Sequence, residues 1–281
     1  MTVPLKTSKV ILVPLLFLLL FFSPLSFGAE IGKKVQLTWL GQSGFKIVSP
    51  GGTVILIDPW AKGNTLYPFK TAGGEADLSP LLDADLILLS HGHFDHLGDT
   101  LPIAKDPASK KDLKIVSIFE LMTYLWQEGI DQNRLVSMNI GGTVKFGDVQ
   151  ITMVRAVHSS GIGPFSPKSL IYGGEPAGFI IEFGNGYRIY HTGDTALFGE
   201  MKSFNTFFHP NLMLVPIGGL FTMGPKDAAM AVEFVHPQAV IPMHYGGTFN
   251  LPGTPAEFKA ALAKRVRGVK VIVPVPGKPV N

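Results

Sequence analysis

Apolar positions in this chain come in short runs broken by Gly, Pro and Asp, which is the pattern of many buried strands joined by tight turns. Val35-Gln36-Leu37-Thr38-Trp39-Leu40 and Phe45-Lys46-Ile47-Val48, divided by Gly41-Gln42-Ser43-Gly44, predict two strands. Pro50-Gly51-Gly52 turns the chain into a third, Val54-Ile55-Leu56-Ile57, which ends at Asp58-Pro59. These three read as consecutive antiparallel strands. Residues 61–80 form a loop, and the run from Leu81 to Ser90 follows it. Lys114 to Ile118 reads as a short strand and Glu120 to Gln127 as a helix. Hairpins are predicted over Val144 to Val157, turning at Phe146-Gly147-Asp148, and over Phe179 to Tyr190, turning at Gly184-Asn185-Gly186. Leu212 to Ile217, Val240 to Met243 and Val269 to Val273 are further apolar strands. Helices fit at Lys226 to Val235 and Pro255 to Arg265. Residues 159–177, rich in Gly, Ser and Pro, are too long for an idle connection and are placed like a lid. With no internal repeat and no linker, the simplest organisation is one α/β domain over residues 29–281.

Residues 1–28 have the pattern of a secretory leader. Lys6 and Lys9 supply a positive start, Val10 to Phe22 is nearly all apolar, and Ser26-Phe27-Gly28 offers small residues at a cleavage site. The alternative is an uncleaved membrane anchor, against which Pro14, Pro24 and the small-residue exit argue. Either way the body is expected to be exported, as into a periplasm. The net charge is +3, and two of the positive charges belong to Lys6 and Lys9, so the body is near neutral. It has no basic run of the kind a nucleic-acid surface needs. The absence of cysteine excludes disulfides and leaves only nitrogen and oxygen donors for any metal.

One stretch stands apart. His91-Gly92-His93-Phe94-Asp95-His96 places three imidazoles and a carboxylate directly after the apolar run Leu86-Ile87-Leu88-Leu89. Such groups crowd and repel near an interior unless a divalent cation compensates them. Three other residues share the same setting. His158 follows the strand-like Val149 to Val157, Asp194 follows Tyr187 to Tyr190 by way of His191-Thr192-Gly193, and His244 follows Val240 to Met243. In layered α/β structures the carboxyl ends of strands share a rim where loops converge. Alone, His158 would read as a solvated histidine. Beside the cluster it reads as a ligand, because contiguous residues cannot close a metal site by themselves.

The run from His91 to His96 is the H-x-H-x-D-H signature, and with His158, Gly193-Asp194-Thr195 and His244 it resembles the metallo-β-lactamase-fold hydrolases in order and spacing. Trp39-Leu40-Gly41, Asp58-Pro59-Trp60, Met223-Gly224-Pro225 and Pro242-Met243-His244-Tyr245 are similar to the branch that includes ascorbate-6-phosphate lactonase and the relatives of N-acyl-phosphatidylethanolamine phospholipase D. The resemblance implies a four-layer αβ/βα sandwich with two divalent ions on its rim. His91, His93 and His158 would hold the first ion and Asp95, His96 and His244 the second, with Asp194 bridging. The two ions would clamp a hydroxide for attack on an ester, lactone, amide or phosphodiester of a small molecule, and Asp95 could act as proton acceptor. The number of histidines tilts the metal toward zinc, while manganese and iron suit the same donors. Many relatives carry a His where this chain has Gln42, which cannot shuttle a proton near neutral pH.

Lesser candidates surround this set. His191 reads as a ligand, a partner of a ligand or a substrate contact. Asp58 reads as the residue that orients the metal loop, with turn capping as the alternative, and Asp99 as a helix cap. His209 and His236 read as structural, His236 at a helix C-terminus. On the predicted lid, Phe165, Ser166, Lys168, Ser169 and Tyr172 could meet a substrate. Two other functions fit the same residues: a di-iron redox protein, and a non-catalytic protein that uses a metal to hold a ligand.

Overall fold

The computed structural model describes residues 1–2, 35–163 and 170–280. The leader expected over residues 1–28 therefore lies, beyond its first two residues, outside the described residues, as do Phe165, Ser166, Lys168 and Ser169 of the predicted lid.

The first half of the chain supplies β1 (Gln36–Gly41), β2 (Gly44–Val48), β3 (Val54–Ile57), β4 (Leu86–Leu88), β5 (Lys114–Ile118) and β6 (Leu135–Met138). It also holds α1 (Phe94–Leu97), α2 (Thr100–Lys105) and α3 (Phe119–Gln127). The second half supplies β7 (Thr143–Phe146), β8 (Val149–Arg155), β9 (Gly161–Ile162), β10 (Ile171–Tyr172), β11 (Ala177–Phe183), β12 (Arg188–His191) and β13 (Leu212–Pro216). It continues through β14 (Ala239–Met243), β15 (Lys270–Val271) and β16 (Pro279–Val280), with α4 (Met201–Phe208), α5 (Pro225–Val235) and α6 (Pro255–Ala263) between strands.

Two seven-stranded sheets result, ordered β16-β1-β2-β3-β4-β5-β6 and β15-β14-β13-β12-β11-β8-β7. In the first, β1, β2 and β3 are antiparallel, as their turn residues predict, and β3 through β6 run parallel. The second changes in the same way, antiparallel from β7 to β12 and parallel from β12 to β15.

Period-two alternation sets the layers. In β13, Leu212 and Leu214 face the layer between the sheets, while Met213 and Val215 face the helices. In β14, Ile241 and Met243 point inward and Val240 outward. The outward set packs on Phe204 of α4, Val232 of α5 and Phe258 of α6. On the other side Ile103 of α2 and Leu121 and Leu125 of α3 join the core of the first sheet. Helices thus cover both outer faces, which is the four-layer αβ/βα sandwich.

The details depart from the sequence reading in five places. The strand expected over Val269 to Val273 shortens to β15, and residues 159–177 contain the small hairpin of β9 and β10. α4 and β6 are additional elements. β16 is also additional, and it closes the first sheet by pairing antiparallel with β1.

Strand direction places the functional residues. β12 and β14 both run parallel to β13, and β8 and β12 both run antiparallel to β11. The carboxyl ends of β8, β12 and β14 therefore emerge on one rim, carrying His158, Asp194 and His244.

Candidate metal centre

β4 delivers the chain to the rim, and the buried His91 follows three residues after its end. His93 stands at the N-cap of α1, and Asp95 and His96 occupy that short helix. The helix must stop at Gly98, whose φ is 44°, because a side chain there would collide with the Pro59 carbonyl and Trp60. Asp99 was read as a helix cap, and although it holds the N-cap position of α2 its side chain makes no cap bond. Its carboxylate instead accepts the amides of Ala61 and Lys62 at 2.7 and 2.9 Å, tying the loop after β3 to the His-rich turn.

The structure brings together all seven residues read as ligands. They form three overlapping groups whose donor atoms lie within 4.8 Å of one another: His91, His93 and His158; His91, His96 and Asp194; and Asp95, His96 and His244. Asp194 Oδ2 lies 3.2 Å from His96 Nε2, 3.0 Å from His244 Nε2 and 3.8 Å from His158 Nε2. Asp95 Oδ2 is 3.5 Å from His244 Nε2 and 3.7 Å from His96 Nε2. His91 Nε2 and His93 Nδ1 approach to 2.9 Å, a spacing at which two ring nitrogens share a proton or face a common cation. His96 Nε2 is buried between the Asp194 and Asp95 carboxylates and makes no well-aligned hydrogen bond among the described residues. A buried polar atom without a partner is costly, and a cation would satisfy it. The donor set fits a divalent ion.

Outer partners fix which nitrogen of each ring faces the group. Asp58, buried and held at φ 45°, accepts from Ser90 N at 2.8 Å, from Ser90 Oγ at 2.6 Å and from His96 Nδ1 at 2.7 Å. His96 Nδ1 thus donates outward to Asp58, which leaves Nε2 as the atom that faces the group. Ser90 Oγ sits 3.0 Å from His91 Nδ1 and does the same for that ring. Gln42 Nε2 donates to Asp95 Oδ2 at 3.3 Å, and Ser43 Oγ donates to Asp194 Oδ1 at 3.2 Å. His191, one of the lesser candidates, stands apart from the three groups. Its Nε2 donates to the Ser43 carbonyl at 2.9 Å, and its Nδ1 accepts from Gly193 N at 3.1 Å. Both ring nitrogens are thus engaged, Nε2 in joining the two sheets and Nδ1 in fixing the turn toward Asp194. His209 and His236 are left-handed caps at the ends of α4 and α5.

The electrostatics divide the cluster. Burial holds His91 well below the ordinary imidazole value and holds His93 below it, with the charge of His96 acting the same way on both. Burial also takes His158 down to about 4. His96 and His244 behave oppositely. Burial disfavours their charge, yet Asp194, Asp95 and Asp58 outweigh it and raise His96 well above its ordinary value. Asp194 and Asp95 carry His244 up to about 9. Burial pushes Asp194 and Asp95 up, but His96 and His244 prevail and keep both carboxylates below their usual value.

Ser43, Ser90 and Ser160, whose Oγ accepts Gly92 N at 3.1 Å, were not singled out from the sequence. The available signal was position alone: Ser43 follows Gln42 in the first turn, and Ser90 immediately precedes the triple-His motif.

Residues 36–244 match the family model of the beta-lactamase superfamily domain. The chain is 44% identical over 266 residues to a UPF0173 metal-dependent hydrolase of Cupriavidus metallidurans, covering 92% of this chain and 88% of that one. It is 41% identical over 225 residues to one from Koribacter versatilis, covering 80% and 90%. Among solved structures, the metallo hydrolase Igni18 of the hyperthermophilic archaeon Ignicoccus hospitalis superposes with a TM-score of 0.72 at 34% identity, covering 88% of this chain and 97% of that one.

Proposed function

The chain belongs to the β-lactamase superfamily and is a metal-dependent hydrolase, and on that premise we propose that it holds two divalent ions and cleaves an ester, lactone, amide or phosphodiester bond of a small molecule. His91, His93 and His158 would hold one ion, Asp95, His96 and His244 the other, and Asp194 would lie between them. One observation carries this reading. Donor atoms from four separate segments meet in groups of three, and the buried His96 Nε2 among them makes no well-aligned hydrogen bond.

When bound, such ions polarise the bond under attack and acidify a water molecule. Zinc suits the histidine-rich donors, and manganese or iron accept the same set. The chain's own residues do the rest. Asp58 and Ser90 hold His91 and His96 with their Nε2 atoms inward, and Ser43 turns Asp194. Asp95, ionised beside His96 and His244, would accept the proton released by the attacking water. The leader pattern of residues 1–28 makes export part of the proposal, checked by the N-terminal sequence of the mature chain recovered from its host.

The test is metal analysis of protein purified without chelators, joined to a panel of carboxylic esters, lactones, amides and phosphodiesters. Two ions per chain with turnover on one class is the expected result, with Asp194→Asn losing both metal and activity. A metal-replete chain inert on the whole panel would overturn the hydrolytic reading.

A further inference from the structure

Next to the metal groups runs a chain of aromatic rings. Trp60 stacks on Phe249 with centroids 5.8 Å apart, Phe94 meets each edge-on at 5.9 Å, and Phe221 meets Phe249 at 6.3 Å. Exposure grows outward along it: Trp60 is buried, whereas Phe94 is 38%, Phe221 53% and Leu220 76% exposed. Its inner end adjoins the site along the chain, since Phe94 stands between His93 and Asp95. The outer end is fastened to the site as well. The loop bearing Leu220 and Phe221 is closed by Gly219 N to the Met223 carbonyl at 3.0 Å, and Met223 N reaches the carbonyl of Thr195, the neighbour of Asp194, at 3.1 Å.

Folding alone gives no reason for Leu220. Its φ is 59°, a left-handed conformation that is unfavourable for a leucine and free for a glycine, and its side chain points mostly into water. A strained, solvent-facing leucine beside an exposed phenylalanine at the edge of a reactive centre is what a binding contact requires.

We propose that this wall seats an alkyl or aryl substituent of the substrate, so that the bond cleaved is the acyl bond of a neutral ester, lactone or amide. Water adds across that bond, giving a carboxylic acid and an alcohol or amine. The proposal rests on the hydrolytic reading above and narrows it.

The test separates the two. Straight-chain carboxylates from acetate to octanoate, which resemble one product, are titrated calorimetrically into the metal-replete protein. Affinity should rise about two- to fourfold per methylene, the increment expected for alkyl burial, until the wall is filled. Leu220→Gly relieves the left-handed backbone and so is expected to fold, and Phe221→Ala shortens the wall. In both, the rise per methylene should fall by half or more while metal content and Tm stay at the wild-type level. A flat series in the wild type, or equal steps in the variants, would overturn the wall. Turnover on phosphodiesters alone would overturn the acyl-bond assignment, and steps that persist in a chain inert on esters, lactones, amides and phosphodiesters alike would support the wall and sink the hydrolytic reading instead.

Discussion

Gln42 and His244 meet twice. The His244 backbone amide donates to the Gln42 carbonyl at 3.0 Å, and Gln42 Nε2 lies 2.9 Å from His244 Nε2. Both residues hold left-handed backbone, at φ 50° and 51°. A turn in the first sheet and a strand end of the second are thereby locked together at the centre, each in a conformation that packing must impose. Gln42 also donates to Asp95 Oδ2, so one amide touches two candidate ligands.

The first prediction follows from that amide. Gln42→Gly relieves the left-handed turn of its steric cost while deleting both side-chain contacts, whereas Gln42→Ala deletes the contacts and keeps the strain. Both should lower turnover, by about 10- to 100-fold as for outer partners of metal ligands in general. Gln42→Ala should in addition show the lower Tm. Equal Tm values with unchanged kcat/KM would remove Gln42 from the site.

Asp58 offers a sharper case. It takes three hydrogen bonds in a fully buried position, from the amide and hydroxyl of Ser90 and from His96. Asp58→Ala leaves those donors unpaired and breaks a buried charged pair, at a cost of about 3–5 kcal/mol. Asp58→Asn keeps one acceptor and tolerates the left-handed backbone, but turns an amide donor toward one of its own donors. Metal retention against a competing chelator should fall about 10- to 100-fold in the Asn variant, with the fold intact by circular dichroism.

How much of this was legible in the sequence depends on the distance over which each feature is decided. The strands ending at His91, His158, Asp194 and His244 are marked by local apolar runs, and the turn at Gly41-Gln42-Ser43-Gly44 by local breakers. Their convergence follows from strand direction, which the layered pattern implies. α4 escaped because Phe204, Phe207 and Phe208 are spaced for a helix but are aromatic, and its end is a His209 cap in place of a glycine. β16 escaped because two residues, one of them proline, carry no pattern, and its pairing with β1 is set from across the whole chain. Asp99 was misread because a carboxylate before a helix usually caps it, and here a distant pair of amides outcompetes the helix.

The division of charge in the cluster predicts how metal loading depends on pH. His91, His93 and His158 are neutral near pH 7, since burial lowers all three, His158 to about 4. His96 and His244 are protonated there, His244 with a pKa of about 9. An ion entering the His91, His93 and His158 group displaces no proton near neutrality, whereas one entering the Asp95, His96 and His244 group must displace up to two. Below pH 9 the second group should therefore weaken with each unit of acidification, while the first, whose three imidazoles are all held below their ordinary value, keeps its affinity through neutrality. Calorimetric titration of metal-free protein in buffers of different ionisation enthalpy should show a nearly proton-neutral first event and a proton-releasing second one. Two events with equal release would contradict the assignment.

The last prediction concerns a residue with no polar chemistry. Gly218 follows β13, and a Cβ placed there would drive into the His244 carbonyl and against Leu251 at 2.7 Å. Neither neighbour can yield cheaply, because His244 is pinned through its amide to Gln42 and Leu251 is buried. Gly218→Ala should thus push the His244 backbone outward, at about 1–3 kcal/mol of overpacking. The displacement acts first on the group that holds His244, since His91, His93 and His158 hang from β4 and β8. The variant should retain one ion per chain, lose the other and lose turnover with it, as read by metal analysis of gel-filtered protein. Retention of both ions would mean that His244 is not needed to hold the second, and loss of both would mean that the two groups form a single cooperative unit.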